Sequence, residues 1–300
     1  MRFPPLMFAA CAAPLLPGNA EAATIPPQIK AMLDAAIASG NEAEITTVVK
    51  YGGLVAPESA DALRKVALDW KNARDEAKTE QLQRATFLDL WSGKAELGGY
   101  ISTGNSETEG LSASLDLKRD GLDWRHKLKL QADYQRSLGV TSREHFLAAY
   151  EPNYKLSDRS YIYGAAQYES DRFLGYFDRY STSVGAGYSA IKNGRTKLDL
   201  ELGPAFRSTN FTDGTLESSI AARGSLDFSY KLSKGIQLTQ NASAYLERYN
   251  STITGTTAIS ARVLGPLAAQ FSYNVQYESA PPAGRVPTDT ITRAGLSYSF

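Results

Sequence analysis

From Trp91 onward, ionisable side chains recur at every second position. Arg125, Lys127, Lys129 and Asp133 share one parity, and Lys197, Asp199, Glu201 and Arg207 make a second run. Glu96, Asp116, Lys118, Arg223, Asp227 and Arg293 fall on the same kind of alternation. Alternate residues of an extended strand project to the same side, so each run lines one face with charge. Two kinds of chemistry are open to such a face. Opposite charges on neighbouring strands pair and stiffen the wall. Alternatively, the wall bounds a path that selects ions or solutes by charge.

Catalytic chemistry has less to build on. Hydrolysis needs a nucleophile, a base and an orienting group, and the chain holds only two histidines. His126 shares parity with Trp124 and Leu128, which turns it away from the charged face. His145 lies beside Glu144 near the outer end of its segment, and a lipid- or peptide-hydrolysing barrel enzyme built on that pair is the alternative function. Zinc-ligand spacing and phosphate-binding glycine loops are absent from the sequence, and Gly104 and Gly110 flank a turn. The expectation is a non-enzyme without cofactor or metal.

The elements that carry the charged faces are strands of period 2. Leu111, Ala113, Leu115 and Leu117 alternate with Ser112, Ser114, Asp116 and Lys118; Leu198, Leu200, Leu202 and Phe206 oppose Lys197, Asp199, Glu201 and Arg207. Pro204 inside that run is a mild objection. Turn signals such as Arg119-Asp-Gly121, Lys192-Asn-Gly-Arg195 and Lys234-Gly235 separate the runs, and the sum is about twelve strands, each near the length of one tilted bilayer crossing. Connections near 118–122, 192–196, 231–235 and 264–266 read as short, and those near 171–179, 208–216 and 280–288 as longer. Trp124, Tyr134, Tyr180, Tyr188, Tyr230, Tyr277 and Tyr298 gather at strand ends, as interfacial aromatic girdles do. In the last run, residues 290–300, Leu296, Tyr298 and Phe300 share the apolar face, and the sequence closes on the aromatic. That ending resembles the C-terminal signal that outer-membrane barrels present to their assembly machinery.

Composition agrees. Lys+Arg and Asp+Glu balance at 32 each, which leaves no basic stripe for nucleic acid. Mean hydropathy is −0.31, and no apolar run is long enough for a transmembrane helix, whereas alternation averages a barrel's hydropathy away. Residues 1–22 read as a signal peptide: Arg2, an apolar stretch to Leu16, and cleavage after Ala20 or Ala22. A lipoprotein box at Phe8-Ala-Ala-Cys11 is the weaker reading, because so little apolar sequence precedes it. Cys11 is the only cysteine, so disulfides are excluded and closure of a barrel is the expected source of stability. Residues 23–90 have helical periodicity and form the expected periplasmic segment: Ile29, Met32, Leu33, Ala36 and Ile37 on one stripe, a capping-box-like Asn41 and Glu44, and a third helix opening at Pro57. The fold expected is all-β, an antiparallel transmembrane barrel over 91–300. About twelve strands lies between barrels filled by side chains and open pores, so the lumen is expected to be plugged or very narrow.

The stretch from Leu90 to Leu128 (LWSGKAELGGYISTGNSETEGLSASLDLKRDGLDWRHKL), with LELGPAFR at 200–207 and the ending PPAGRVPTDTITRAGLSYSF, resembles a Gram-negative family known as domain of unknown function 481, or YdiY-like. Its members are described as salt-induced outer-membrane proteins. The resemblance covers about Trp91 to Phe300 and rests on the Trp91-x-Gly93 opening, the Thr103-Gly-Asn105 turn and the Trp124-Arg-His126 segment. It implies a barrel in the outer membrane and no established chemistry, so it brings no catalytic residues. The partners expected of such a barrel are outer-membrane lipid and the assembly machinery, and the function expected is structural or stress-related, with a narrow solute or ion pore beside it.

Overall fold

The computed structural model describes residues 24–103, 108–137, 140–248, 250–281 and 284–300. Two compact units divide between Gln81 and Leu82, so residues 82–90 belong with the strands that follow them.

The first unit is helical: α1 (Pro27–Ser39), α2 (Glu42–Val55), a 3-10 turn at Pro57–Ser59 and α3 (Ala60–Arg84). Pro27 opens α1, where a missing N–H costs nothing, and Gly40 ends it in the left-handed conformation with φ 69°. Asn41 caps α2 by accepting from the Ala43 N–H at 3.1 Å, and donates to Glu44 at 2.8 Å. Leu33, Ala36, Ile45 and Leu63 form the small core, with Ile29, Val48 and Trp70 packed against it. Among the described residues no helix is long and apolar enough to cross a membrane.

The second unit is a closed antiparallel barrel of twelve strands in sequential order. They are β1 (Trp91–Thr103), β2 (Thr108–Asp120), β3 (Trp124–Ser137), β4 (Val140–Lys155), β5 (Ser160–Asp171), β6 (Tyr176–Lys192), β7 (Thr196–Phe211), β8 (Leu216–Lys231), β9 (Ile236–Leu246), β10 (Thr252–Leu264), β11 (Leu267–Glu278) and β12 (Thr288–Ser299). All twelve expected strands form, and β1 closes on β12 from Lys94↔Ser299 to Thr103↔Thr290. Strand pairing runs past the expected ends on one side. The long connections expected near 171–179 and 208–216 shrink to 172–175 and 212–215, because Arg179, Thr209 and Asn210 continue the ladder. These ends carry polar residues on both faces, so the apolar rhythm stops before the hydrogen bonding does.

The parity is that of a membrane-spanning barrel. Along β7, Leu200, Leu202 and Phe206 point outward, Leu202 at 69% exposure, while Asp199 and Glu201 point inward at 2% and 5%. Ile220, Phe271 and Leu296 are likewise exposed on the outside. A closed ladder leaves no backbone edge, and its apolar exterior is matched to lipid.

Glycines mark where neighbouring backbones and rings come closest. Gly98 stands directly opposite Gly295 at the β1–β12 closure, and a Cβ on Gly98 would lie 2.8 Å from the Gly295 Cα. The β6–β7 ladder skips Val184 and Gly185 opposite Gly203 and Pro204; this is where proline lacks a donor and the two glycine backbones approach. Tyr161 faces Gly187 across the β5–β6 pair, and Tyr163 faces Gly185. Their rings lie over those glycines, the arrangement that compensates a glycine in a sheet. Gly187→Val is expected to lower barrel stability by ~1–3 kcal/mol through overpacking against Tyr161. Urea unfolding in lipid vesicles checks this, and adding Tyr161→Ser should recover much of the loss.

Candidate functional site

The lumen is the site. Its charged groups come mainly from β3 to β8 and meet at successive heights. Near the end carrying the short turns, Asp120 takes Lys118 at 3.0 Å and Lys155 at 2.7 Å, and Arg125 sits 3.8 Å from both Asp120 and Asp199. Lys197 and Ser189 also reach Asp199, at 2.5 and 2.7 Å. One level further, Lys127 bonds Glu151 at 2.7 Å and lies 3.5 Å from Glu201 and 3.3 Å from Asp227. Arg223 joins Glu201 and Glu151 at 3.0 and 3.3 Å, and the hydroxyls of Ser225 and Tyr161 donate to Glu201.

Above that, Asp133 accepts both arms of Arg293, at 2.9 and 3.3 Å, and faces His145 Nδ1 at 3.1 Å. His145 Nε2 faces Glu169 at 3.3 Å. At the opposite end, Arg207 reaches Glu247 at 2.8 Å with its guanidinium over the Tyr245 ring, and Arg179 reaches Glu278 at 3.1 Å over Tyr176. Several of these pairs span the lumen rather than neighbouring strands. Lys127 on β3 meets Asp227 on β8, and Arg179 on β6 meets Glu278 on β11.

The middle of the wall from β9 to β11 is neutral. Thr239, Asn241 and Ser243 on β9, Thr254 and Thr256 on β10, and Asn274 and Gln276 on β11 face a cavity of 530 Å³. Its lining extends from Lys94 and Lys118 near one strand end to Arg143, Thr252 and Gln276 near the other.

Of the charges singled out in the sequence, Asp116, Lys118, Lys127, Lys129, Arg207, Arg223, Asp227 and Arg293 line this cavity, and Arg125, Asp133, Asp199 and Glu201 are buried in the ion-pair network. His145 corrects the expectation made for it. Its partners are Asp133 and Glu169 inside the barrel, whereas Glu144 points outward to Arg172 at 2.7 Å. Arg143, Glu151, Glu169, Asp171, Arg179 and Glu278 belong to the network and went unread. Pairing β4 to β3 would have found the first two: Lys127↔Glu151 and Gln135↔Arg143 stand in register.

Outside, Trp124 stacks on His126 at 6.0 Å, and His126 Nδ1 meets the Tyr150 hydroxyl at 2.8 Å. Phe87 packs edge-on to His126, and Arg119 donates to the Thr86 and Asp89 carbonyls, which straps the segment before β1 to the barrel rim. Hydrogen bonds from the Thr86 N–H and hydroxyl hold the Asp89 carboxyl below the usual range. Phe300 pairs with Gly93 through both backbone groups, at 2.8 and 3.0 Å. A Cβ on Gly93 would run into its ring, so the Trp91-x-Gly93 opening makes room for the last residue. The Thr103-Gly-Asn105 turn falls largely outside the described residues.

A family model described as "Protein of unknown function, DUF481" matches residues 95–300. The chain belongs to the DUF481 family. It is 24% identical over 229 residues to the Uncharacterized protein YdiY of Escherichia coli (strain K12), covering 76% of this chain and 90% of that one. Among solved structures it is similar to the NanC porin (11% identity, 69% of this chain, 100% of that chain, TM-score 0.49). The KdgM porin in complex with disordered oligogalacturonate matches at 13% identity, 69% and 99% coverage and TM-score 0.40. The translocator domain of autotransporter NalP from Neisseria meningitidis matches at 12% identity, 78% and 96% coverage and TM-score 0.41. At such identities nothing those proteins bind transfers to this DUF481 chain.

The cross-lumen pairs should behave as struts. Glu278→Ala strands the buried Arg179 guanidinium and is expected to cost ~3–5 kcal/mol. The paired replacement Arg179→Met with Glu278→Leu should be close to neutral, and urea midpoints in lipid vesicles distinguish the two.

Proposed function

We propose that this chain is an integral outer-membrane barrel of the Gram-negative envelope that passes small polar solutes or ions through a narrow lumen. One observation carries the reading: the polar cavity is lined continuously from Lys94 and Lys118 at one end of the strands to Arg143 and Thr252 at the other. The struts narrow it. The ion pairs gather mainly on β3 to β8, and β9 to β11 line the same cavity with neutral side chains. Within this proposal residues 1–22 direct export, the helical residues up to about 90 lie in the periplasm, and Leu296, Tyr298 and Phe300 engage the assembly machinery. A role in envelope structure or stress is compatible with the same barrel.

The hydrolase alternative draws no support from the lumen, because both ring nitrogens of His145 face carboxylates, Asp133 and Glu169. No nitrogen is left to take a proton from a nucleophile.

Single-channel recording in planar bilayers tests the proposal. Steady, small conductance is expected, and replacing Lys127 and Lys129 by Gln should move the reversal potential toward cation selectivity, since two lumen cations are lost. Silence from protein whose heat-modifiable gel migration proves a folded barrel would refute the pore.

A further inference from the structure

Most lumen charges answer one another. Lys127, Arg207, Arg223 and Arg293 each reach a carboxylate within 3.3 Å. Asp116 and Lys129 do not follow this pattern. They are directly opposite on β2 and β3, both line the cavity, and both side chains are exposed to it. Among the described residues neither side chain makes a hydrogen bond or an ion pair. Lys94 flanks Asp116 in the same row on β1, but its ammonium is taken by Glu96 at 3.7 Å and by the Gln270 amide.

Residues directly opposite on antiparallel strands hold their Cβ atoms roughly 4.5–5.5 Å apart. One free anion and one free cation therefore stand side by side, both turned into the open part of the lumen. The same cavity is also lined by neutral residues of β9 and β10: Asn241, Ser243, Thr254 and Thr256 offer donors and acceptors without charge.

We infer that Asp116 and Lys129 form a specificity-determining site for small zwitterions, solutes of amino-acid size with one carboxylate and one ammonium. The inference rests on the pore reading. A simple anion drawn to Lys129 meets Asp116 at the neighbouring position, and a simple cation drawn to Asp116 meets Lys129. A zwitterion satisfies both at once. Its carboxylate faces Lys129, its ammonium faces Asp116, and the amides and hydroxyls of the same cavity replace the water it sheds in a narrow passage. Neither charge is spent within the wall, so neither ion pair has to be broken to admit the solute.

Liposome swelling with the full chain reads this directly, with glycine as the zwitterionic probe and glycerol as the neutral one of similar size. Glycine should enter about threefold faster than glycerol, the factor a solvent-accessible ion-pair contact supplies. In Asp116→Asn with Lys129→Gln the ratio of glycine to glycerol entry should fall to one. Exchanging the two charges, Asp116→Lys with Lys129→Asp, should retain the preference, which a merely structural role would not. Equal entry of the two probes in the unaltered protein, or a preference that survives the uncharged double variant, overturns the site and leaves the pore standing. Exclusion of glycerol by a folded barrel overturns the pore and the site together.

Discussion

A strand wall in lipid has no water to satisfy a free backbone edge, and the rest of this structure depends on that constraint. The ladder between β1 and β12 meets it by closing the sheet. The closure also explains local details. Gly98 and Gly295 let two backbones approach at the seam, and Gly93 leaves room for the Phe300 ring at its end. Because each strand has only two faces, closure in lipid sends most large apolar side chains outward and most charges inward.

Sending charges inward creates the second problem, which the ion-pair network solves. An isolated charge in a narrow lumen is expensive, and a well-bonded pair is close to break-even. Lys127, Arg223, Glu151 and Glu201 therefore act as one group, as do Asp133, His145, Glu169 and Arg293. Pairs that span the lumen also bind one side of the barrel to the other. The consequence is an asymmetric interior: a cross-linked ionic side, and a side lined by short hydroxyls and amides.

The sequence conveys the faces better than the contacts. In β7 the alternation resumes in the same parity after Gly203 and Pro204, so Asp199, Glu201 and Arg207 could be placed inside from periodicity alone. In β4 and β5 it is confused, because Leu147 and Ala149 face inward beside Phe146 and Ala148, and Tyr161 and Tyr163 turn their rings into the lumen. Arg143, His145, Glu151 and Glu169 were obscured by that. Cross-lumen partners were not legible at all. Period 2 says which side a residue faces but not how far each strand is staggered against the next, and the accumulated stagger decides that Arg179 meets Glu278.

The central claim, an apolar outside in lipid around a polar inside, is tested most directly by spin labels placed one at a time along β7, from residue 199 to residue 207, with Cys11 replaced by serine. Collision with oxygen, which concentrates in lipid, should alternate with period two, high at Leu200, Leu202 and Phe206 and low at Asp199, Glu201 and Arg207. A water-soluble nickel chelate reaching the Leu200, Leu202 and Phe206 positions as readily as oxygen would contradict the account, since the apolar face would then meet water instead of membrane.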